Sequence, residues 1–324
     1  MIQSHLYNYS RTQFVELYKE FAPNASESTF LTFDSALKRV EKLYGDNIEK
    51  LKLKFVDNPN DIVEKFKTTD YSKNTLYSTI NMINKLIIML DAPLILKKRW
   101  ADKVKELTTE RDNNLLDNQK SKTENVNWIE YGLLKRKMED KYKRVISNLD
   151  IKPNDFRNFL ILSLYCFMPP ARLGNYLHCK VIRENTTDLP STHNYIIIKN
   201  LDTLPTFYFV FNKYKTAKTL GTQMNKIEDD NLSELLKIYF TKYNTDNEYF
   251  LTCKGIELSP PTLTNILKKE SHAVCGKYLS VDLLRHIYIS HFLSQNPSLR
   301  DKLNVAGIMG QSYSINQQDL YNRK

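Results

Sequence analysis

At 324 residues the chain is too long for one comfortable core and suits two, since domains usually run to roughly 100–200 residues. With 41% hydrophobic and 26% charged residues the composition excludes a disordered or fibrous chain. No run of about 18 apolar residues occurs that would cross a membrane, and the first residues alternate polar and aromatic side chains rather than forming a secretion signal, so a soluble intracellular protein is expected.

Lys and Arg outnumber Asp and Glu by 47 to 37, giving a formal net charge of +10. The excess fits a polyanionic partner such as nucleic acid and fits equally well a lysine-rich surface that is merely solvated. The four cysteines, Cys166, Cys179, Cys253 and Cys275, show no CxxC pairing and read as buried thiols in a reducing compartment. A zinc site is not expected.

The first clear element is an amphipathic helix over 29–43, with Phe30, Phe33, Leu37, Val40 and Leu43 on one stripe and Ser28 as its N-cap. A second helix follows Ser72 and carries Leu76, Ile80, Ile83, Ile87 and Leu90; a third begins at Pro93 and carries Trp100, Val104 and Leu107. Lys38, Lys42, Lys73, Lys97 and Lys98 decorate this helical half, as a solvated face or as contacts to a nucleic-acid backbone. The stretch TERDNNLLDNQKSKTEN is polar and without periodicity, which marks a linker. These features divide the chain into a helical domain over 1–110, a linker over 111–126 and a second domain over 127–324.

Helices resume over 128–146 and 154–167, the latter ending at Pro169 and Pro170. The YIII run at Tyr195 and the FYFVF run at Phe207 are the strand candidates, predicting a small antiparallel sheet within a mainly helical domain. Helical patterns return over 232–239, 262–269, 280–293 and 299–309.

Four segments of the second half carry the candidate chemistry: PPARLGNY at Pro169, NKYKTAKTLG at Asn212, SVDLLRHIYIS at Ser280 and MGQSYSINQQDLY at Met309. In this order, behind a helical domain with YSKNT at Tyr71, they resemble the tyrosine recombinase (phage integrase) family. The wording of the motifs and the Lys/Asn/Tyr-rich composition look nearest to the branch found in eukaryotic DNA viruses and mobile elements, which would place the protein in the host nucleus or a viral factory. The resemblance implies a core-binding (SAM-like) DNA-binding domain ahead of an α+β catalytic domain. Its implied reaction cuts and rejoins double-stranded DNA through a 3′-phosphotyrosine, without cofactor, metal or ATP, in a tetramer assembled on two DNA sites.

Each carried-over residue has a chemical reason and a plainer alternative. Arg172 and Arg285 stabilise the charge that builds on the non-bridging phosphate oxygens; alternatively Arg172 is a surface residue after a turn and Arg285 an ion-pair partner of Asp282. Lys215 resembles the general acid for the departing 5′ oxygen, with Lys213 and Lys218 as basic neighbours on the same hairpin. Tyr321 resembles the nucleophile, with Tyr313 as its rival. Asp282 stands where the family has a histidine, either as the base for Tyr321 or as an acidic first-turn residue suited to the helix dipole. Gln311 stands at a second histidine position, able to donate to a phosphate oxygen but not to deliver a proton.

His286 points about 100° away from Arg285 on a helix and reads as a packed structural residue. Asn175 occupies a place where many members carry an acid. Three residues follow Tyr321, so the C-terminal helix that locks neighbouring subunits in many members is not expected. Two other readings remain: a type IB topoisomerase that nicks and relaxes DNA, and a recombinase-derived DNA-binding protein with little catalysis. A metal-dependent integrase with a carboxylate triad is disfavoured, because Asp229 and Asp230 are adjacent at a helix start.

Overall fold

The structure, a computed structural model, describes residues 8–116, 119–148, 150–183 and 189–311. It is mostly helical with a small mixed sheet and divides into two compact units, residues 1–115 and 116–324.

The first unit contains helices α1 (Arg11–Phe21), α2 (Glu27–Tyr44), α3 (Ile48–Leu51), α4 (Pro59–Lys67), α5 (Lys73–Met89) and α6 (Leu94–Leu116), with a 3-10 turn at Lys54–Val56. The expected stripe of α2 is buried through Phe33, Leu37 and Val40, but its cap is Ser26 rather than Ser28, because the helix begins two residues earlier than its apolar pattern. Gly45 ends it at φ 71°, a left-handed backbone that glycine adopts without a Cβ clash. The Ser72 hydroxyl accepts from the Thr75 amide at 3.2 Å and starts α5 as expected. Trp100 is fully buried, and its indole N–H donates to the Val56 carbonyl at 2.7 Å, which removes the cost of burying that polar atom. Helices α1 and α4 were not apparent from periodicity; they are capped by Ser10 and Asn58.

In the second unit come α7 (Lys122–Asn127), α8 (Tyr131–Ser147), α9 (Pro153–Cys166) and α10 (Leu173–Tyr176), then strands β1 (Cys179–Ile182), β2 (Asn194–Lys199) and β3 (Thr206–Phe211). A short helix α11 (Ala217–Leu220) and strand β4 (Gln223–Lys226) follow, then α12 (Asp230–Ile238), which runs into a π-turn at Tyr239–Tyr243. Strands β5 (Thr252–Cys253) and β6 (Ile256–Glu257) form a hairpin, and α13 (Pro260–Cys275), α14 (Val281–Ser294) and α15 (Leu299–Ile308) complete the described chain. The segment expected as a linker is largely helical, with α6 reaching Leu116 and α7 closed by a capping box between Ser121 and Glu124. Helix α9 is the centre of this unit: every residue from Phe156 to Cys166 except Asn158 is buried, the pattern of a helix covered on all sides.

The four-stranded sheet runs in the order β1-β2-β3-β4. It is not wholly antiparallel as expected, because β1 pairs with β2 in parallel while β3 and β4 follow antiparallel. Ile196 and Ile198 face the main core, and Tyr195 and Ile197 pack with Val210 on the other face. No helix among the described residues is long and apolar enough to cross a membrane.

Candidate active site

The site is built where three chain segments end together. Helix α15 terminates in a Schellman motif: the Gly310 amide donates to the Gly307 carbonyl at 2.9 Å and the Gln311 amide to the Ala306 carbonyl at 2.9 Å, with Gly310 at φ +61°. This turn exposes the Gly310 carbonyl to its neighbours and sends the Gln311 side chain inward, where it is 3% exposed.

Two cations and a hydroxyl meet on this turn. Arg172, half-buried as the N-cap residue of α10, donates through Nη1 to the Gly310 carbonyl at 2.5 Å. The same oxygen accepts the Thr216 hydroxyl at 2.7 Å. Arg285, on α14, donates through Nη1 to the Pro170 carbonyl at 2.7 Å and to the Met309 carbonyl at 3.1 Å. The Pro169–Pro170 break after α9 therefore supplies an acceptor as well as a stop. Arg285 is 0% exposed, so it acts on any bound anion from within a medium of lower dielectric than water. Asp282, one turn earlier on α14, is exposed, so the two residues face different surroundings.

Lys215 lies on the β3–β4 connection next to Thr216 and is exposed. That connection is held from below by a residue the sequence reasoning missed. Asn194, 3% exposed at the head of β2, donates through Nδ2 to the Asn175 and Lys213 carbonyls at 3.0 and 2.9 Å, and accepts through Oδ1 from the Asn212 and Lys213 amides at 2.8 and 2.7 Å. One carboxamide thus joins α10 to the lysine-bearing hairpin, with all four of its hydrogen-bonding positions used. A second fastening is steric: a Cβ on Gly310 would stand 3.2 Å from the Tyr214 ring, so the hairpin packs closely on the α15 turn. Burial pushes the Tyr214 phenol up from its usual range, and its hydroxyl donates to the Gly221 carbonyl at 2.6 Å.

Two carboxamides at the site are buried with hydrogen-bonding atoms that have no partner among the described residues. Neither Nε2 nor Oε1 of Gln311, nor Nδ2 of Asn175, has a partner among the described residues. Such groups cost on the order of 1–3 kcal/mol each.

The structure therefore brings Arg172, Arg285 and Gln311 together and sets the Lys215 hairpin against them through Thr216. The Asp282 side chain makes no hydrogen bond among the described residues and is not tied to this cluster. Tyr313 and Tyr321 lie outside the described residues. His286 is not simply packed: its Nδ1 lies 2.6 Å from Glu124 Oε1, which fastens α7 to α14. Burial opposes ionisation of Glu124, yet the hydrogen bonds from Ser121 and His286 outweigh it and hold this carboxyl down to about 2.

No family model and no curated protein matches the chain. Among solved structures it is similar to a crystal structure of XerA recombinase, with 14% sequence identity and a TM-score of 0.39 over 99% of this chain and 94% of that one.

Proposed function

We propose that this protein is a site-specific DNA recombinase of the tyrosine type. The observation that carries the reading is the meeting of Arg172, Thr216 and Arg285 on the Met309 and Gly310 carbonyls, beside the Gln311 carboxamide, which has no partner among the described residues. Arg172, fixed by the Gly310 backbone carbonyl, keeps its geometry without a carboxylate that would compete with a phosphate for it. Preorganised donors of this kind are what a phosphoryl-transfer transition state requires.

In this reading the Tyr321 phenol oxygen attacks phosphorus, its proton passing to the Asp282 carboxylate. The bond from phosphorus to the 5′ oxygen breaks, and that oxygen leaves as a hydroxyl with a proton from the Lys215 ammonium. Arg172 and the Gln311 amide donate to the non-bridging oxygens while Arg285 supplies charge from beneath. The phosphotyrosine conserves the energy of the broken bond, so the reverse attack by another 5′ hydroxyl rejoins strands without ATP. Exchange between two duplexes requires one cut on each of four strands, hence four copies of the chain on two DNA sites.

The test is covalent trapping. The full chain is incubated in chelator with nicked duplexes that include the ends of its own genetic element, then digested and read by mass spectrometry for a nucleotide-bearing peptide. A 3′-linked nucleotide on Tyr321, absent in Tyr321→Phe, is the expected result, and joining of separate duplexes distinguishes recombination from topoisomerase-like relaxation. An adduct on Tyr313 would reassign the nucleophile. DNA binding with no adduct on any tyrosine would replace this reading by that of a recombinase-derived binding protein.

A further inference from the structure

The opposite end of α9 holds a second site. Helix α9 has 14 residues and is about 21 Å long; the Pro170–Arg172 segment follows its C-terminus, and a cleft of about 570 Å³ opens at its N-terminus. That cleft lies between the first turn of α9, the π-turn at Tyr243 and the β5–β6 turn at Lys254.

Arg157 lines the cleft and is 6% exposed. Among the described residues its guanidinium is held by neutral acceptors alone: Nη1 donates to Asn154 Oδ1 at 3.0 Å and to the Thr252 carbonyl at 2.9 Å, and Nη2 to Asn158 Oδ1 at 2.8 Å. Its Nε is buried without a partner among the described residues. A cation removed from water is costly unless an opposite charge answers it. The lining adds two further cations, the exposed Lys152 and Lys254, against the single exposed carboxylate of Asp155. The positive end of the α9 dipole points the same way.

We infer that this cleft is a phosphate-binding site for a small phosphorylated ligand of nucleotide size, separate from the Arg172 site. The volume falls in the range of small-molecule sites, roughly 300–1,000 Å³. Because Arg157 lines a concave cleft and is only 6% exposed, a terminal phosphate carried by a small molecule suits it better than the broad backbone of a duplex. Lys152 and Lys254 close on the phosphate from the rim, and Arg157 supplies the buried charge. The site stands whether or not the Arg172 site cuts DNA.

Removing Arg157 would leave the Thr252 carbonyl without its donor and endanger the fold, so the test uses the two exposed lysines. Calorimetric titration of the full chain with inorganic pyrophosphate, at fixed ionic strength, is expected to give one site per chain with a Kd below about 1 mM. Lys152→Gln combined with Lys254→Gln should weaken that binding at least about tenfold with unchanged melting, while Arg172→Ala leaves it intact. Binding to short duplex DNA should be the same in the lysine variant and in wild type. No pyrophosphate binding would overturn the inference. So would loss in Arg172→Ala with retention in the lysine variant, which would move the anion to the other site. Parallel loss of duplex DNA and pyrophosphate in the lysine variant would assign the phosphates to the DNA backbone instead.

Discussion

The two units differ in what they bury. Among the described residues, eleven polar or charged side chains are buried, and Thr79 alone belongs to the first unit; the other ten, from Arg157 to Gln311, belong to the second. Both units have apolar cores built on helical stripes, so the difference does not arise from how they hold together. Each buried polar group carries a desolvation cost that hydrogen bonds at best offset. In the second unit they position backbone, as Asn194 does, or stand without a partner among the described residues, as the Gln311 carboxamide does. The first unit, by contrast, keeps an almost wholly apolar interior among the described residues and carries most of its lysines at the surface.

The sharpest test of that contrast is Arg172→Ala. Loss of one preorganised donor to a phosphoryl transition state should slow covalent adduct formation by about 10²- to 10³-fold, measured in single-turnover trapping, while the lost bond to the Gly310 carbonyl lowers only the second unit's stability, by about 1–2 kcal/mol. An unchanged rate would remove Arg172 from the chemistry and leave it a fastener of the α15 turn. Asn194→Ala comes next and should act on stability: with two amides and two carbonyls losing their partner, a cost of about 3 kcal/mol is expected. Denaturant unfolding followed by a probe in each unit should show only the second unit's transition move.

The legible part of the molecule is the part governed by local pattern. Helices α2, α5 and α9 announce themselves by apolar spacing, and β2 and β3 by aliphatic and aromatic runs, because each needs only its own residues to show a buried face. Arg172, Lys215, Arg285 and Gln311 could be singled out because the motifs fix their order. What their order could not show is how they are held. Asn194 joins segments 19 residues away on either side, and nothing near it distinguishes it from the other asparagines. His286 meets Glu124 across 162 residues, so only the fold reveals it. The supposed linker is different: its polar composition hid a local signal, Ser121 followed three residues on by Glu124, which is the capping-box spacing. The parallel pairing of β1 was hidden because a four-residue strand of mixed exposure carries too little pattern.

Gly310→Ala probes the junction between the α15 turn and the lysine hairpin. A Cβ at φ +61° and 3.2 Å from the Tyr214 ring should cost about 1–2 kcal/mol and slow adduct formation by displacing the hairpin; a retained rate at reduced stability would separate the packing from the chemistry. Smaller again is the effect of acid on α7. The Glu124 carboxyl is depressed from 4.5 to about 2, so its contribution is fully present above the unfolded value and is lost as pH falls through the folded one. The protection of the α7 amides, measured as exchange relative to the intrinsic rate at each pH, should therefore fall between pH 4.5 and pH 2 in the wild type, and Glu124→Gln should flatten that dependence.

The smallest effect is expected where the contrast says a buried polar group serves structure alone. The Thr79 hydroxyl donates to the Thr75 carbonyl at 2.8 Å and accepts from Arg39 Nε at 2.7 Å. Burial lowers the Arg39 guanidinium from its ordinary range, but the side chain is only half-buried, so water can replace the lost acceptor. Thr79→Val keeps the shape of the side chain and should cost about 1 kcal/mol or less, visible in the first unit's transition. Adduct formation should stay within about twofold of wild type, a change under 0.5 kcal/mol. A larger loss of activity would mean that the α2–α5 pairing is itself tuned for the proposed reaction, and that the first unit's apolar interior is not merely scaffold.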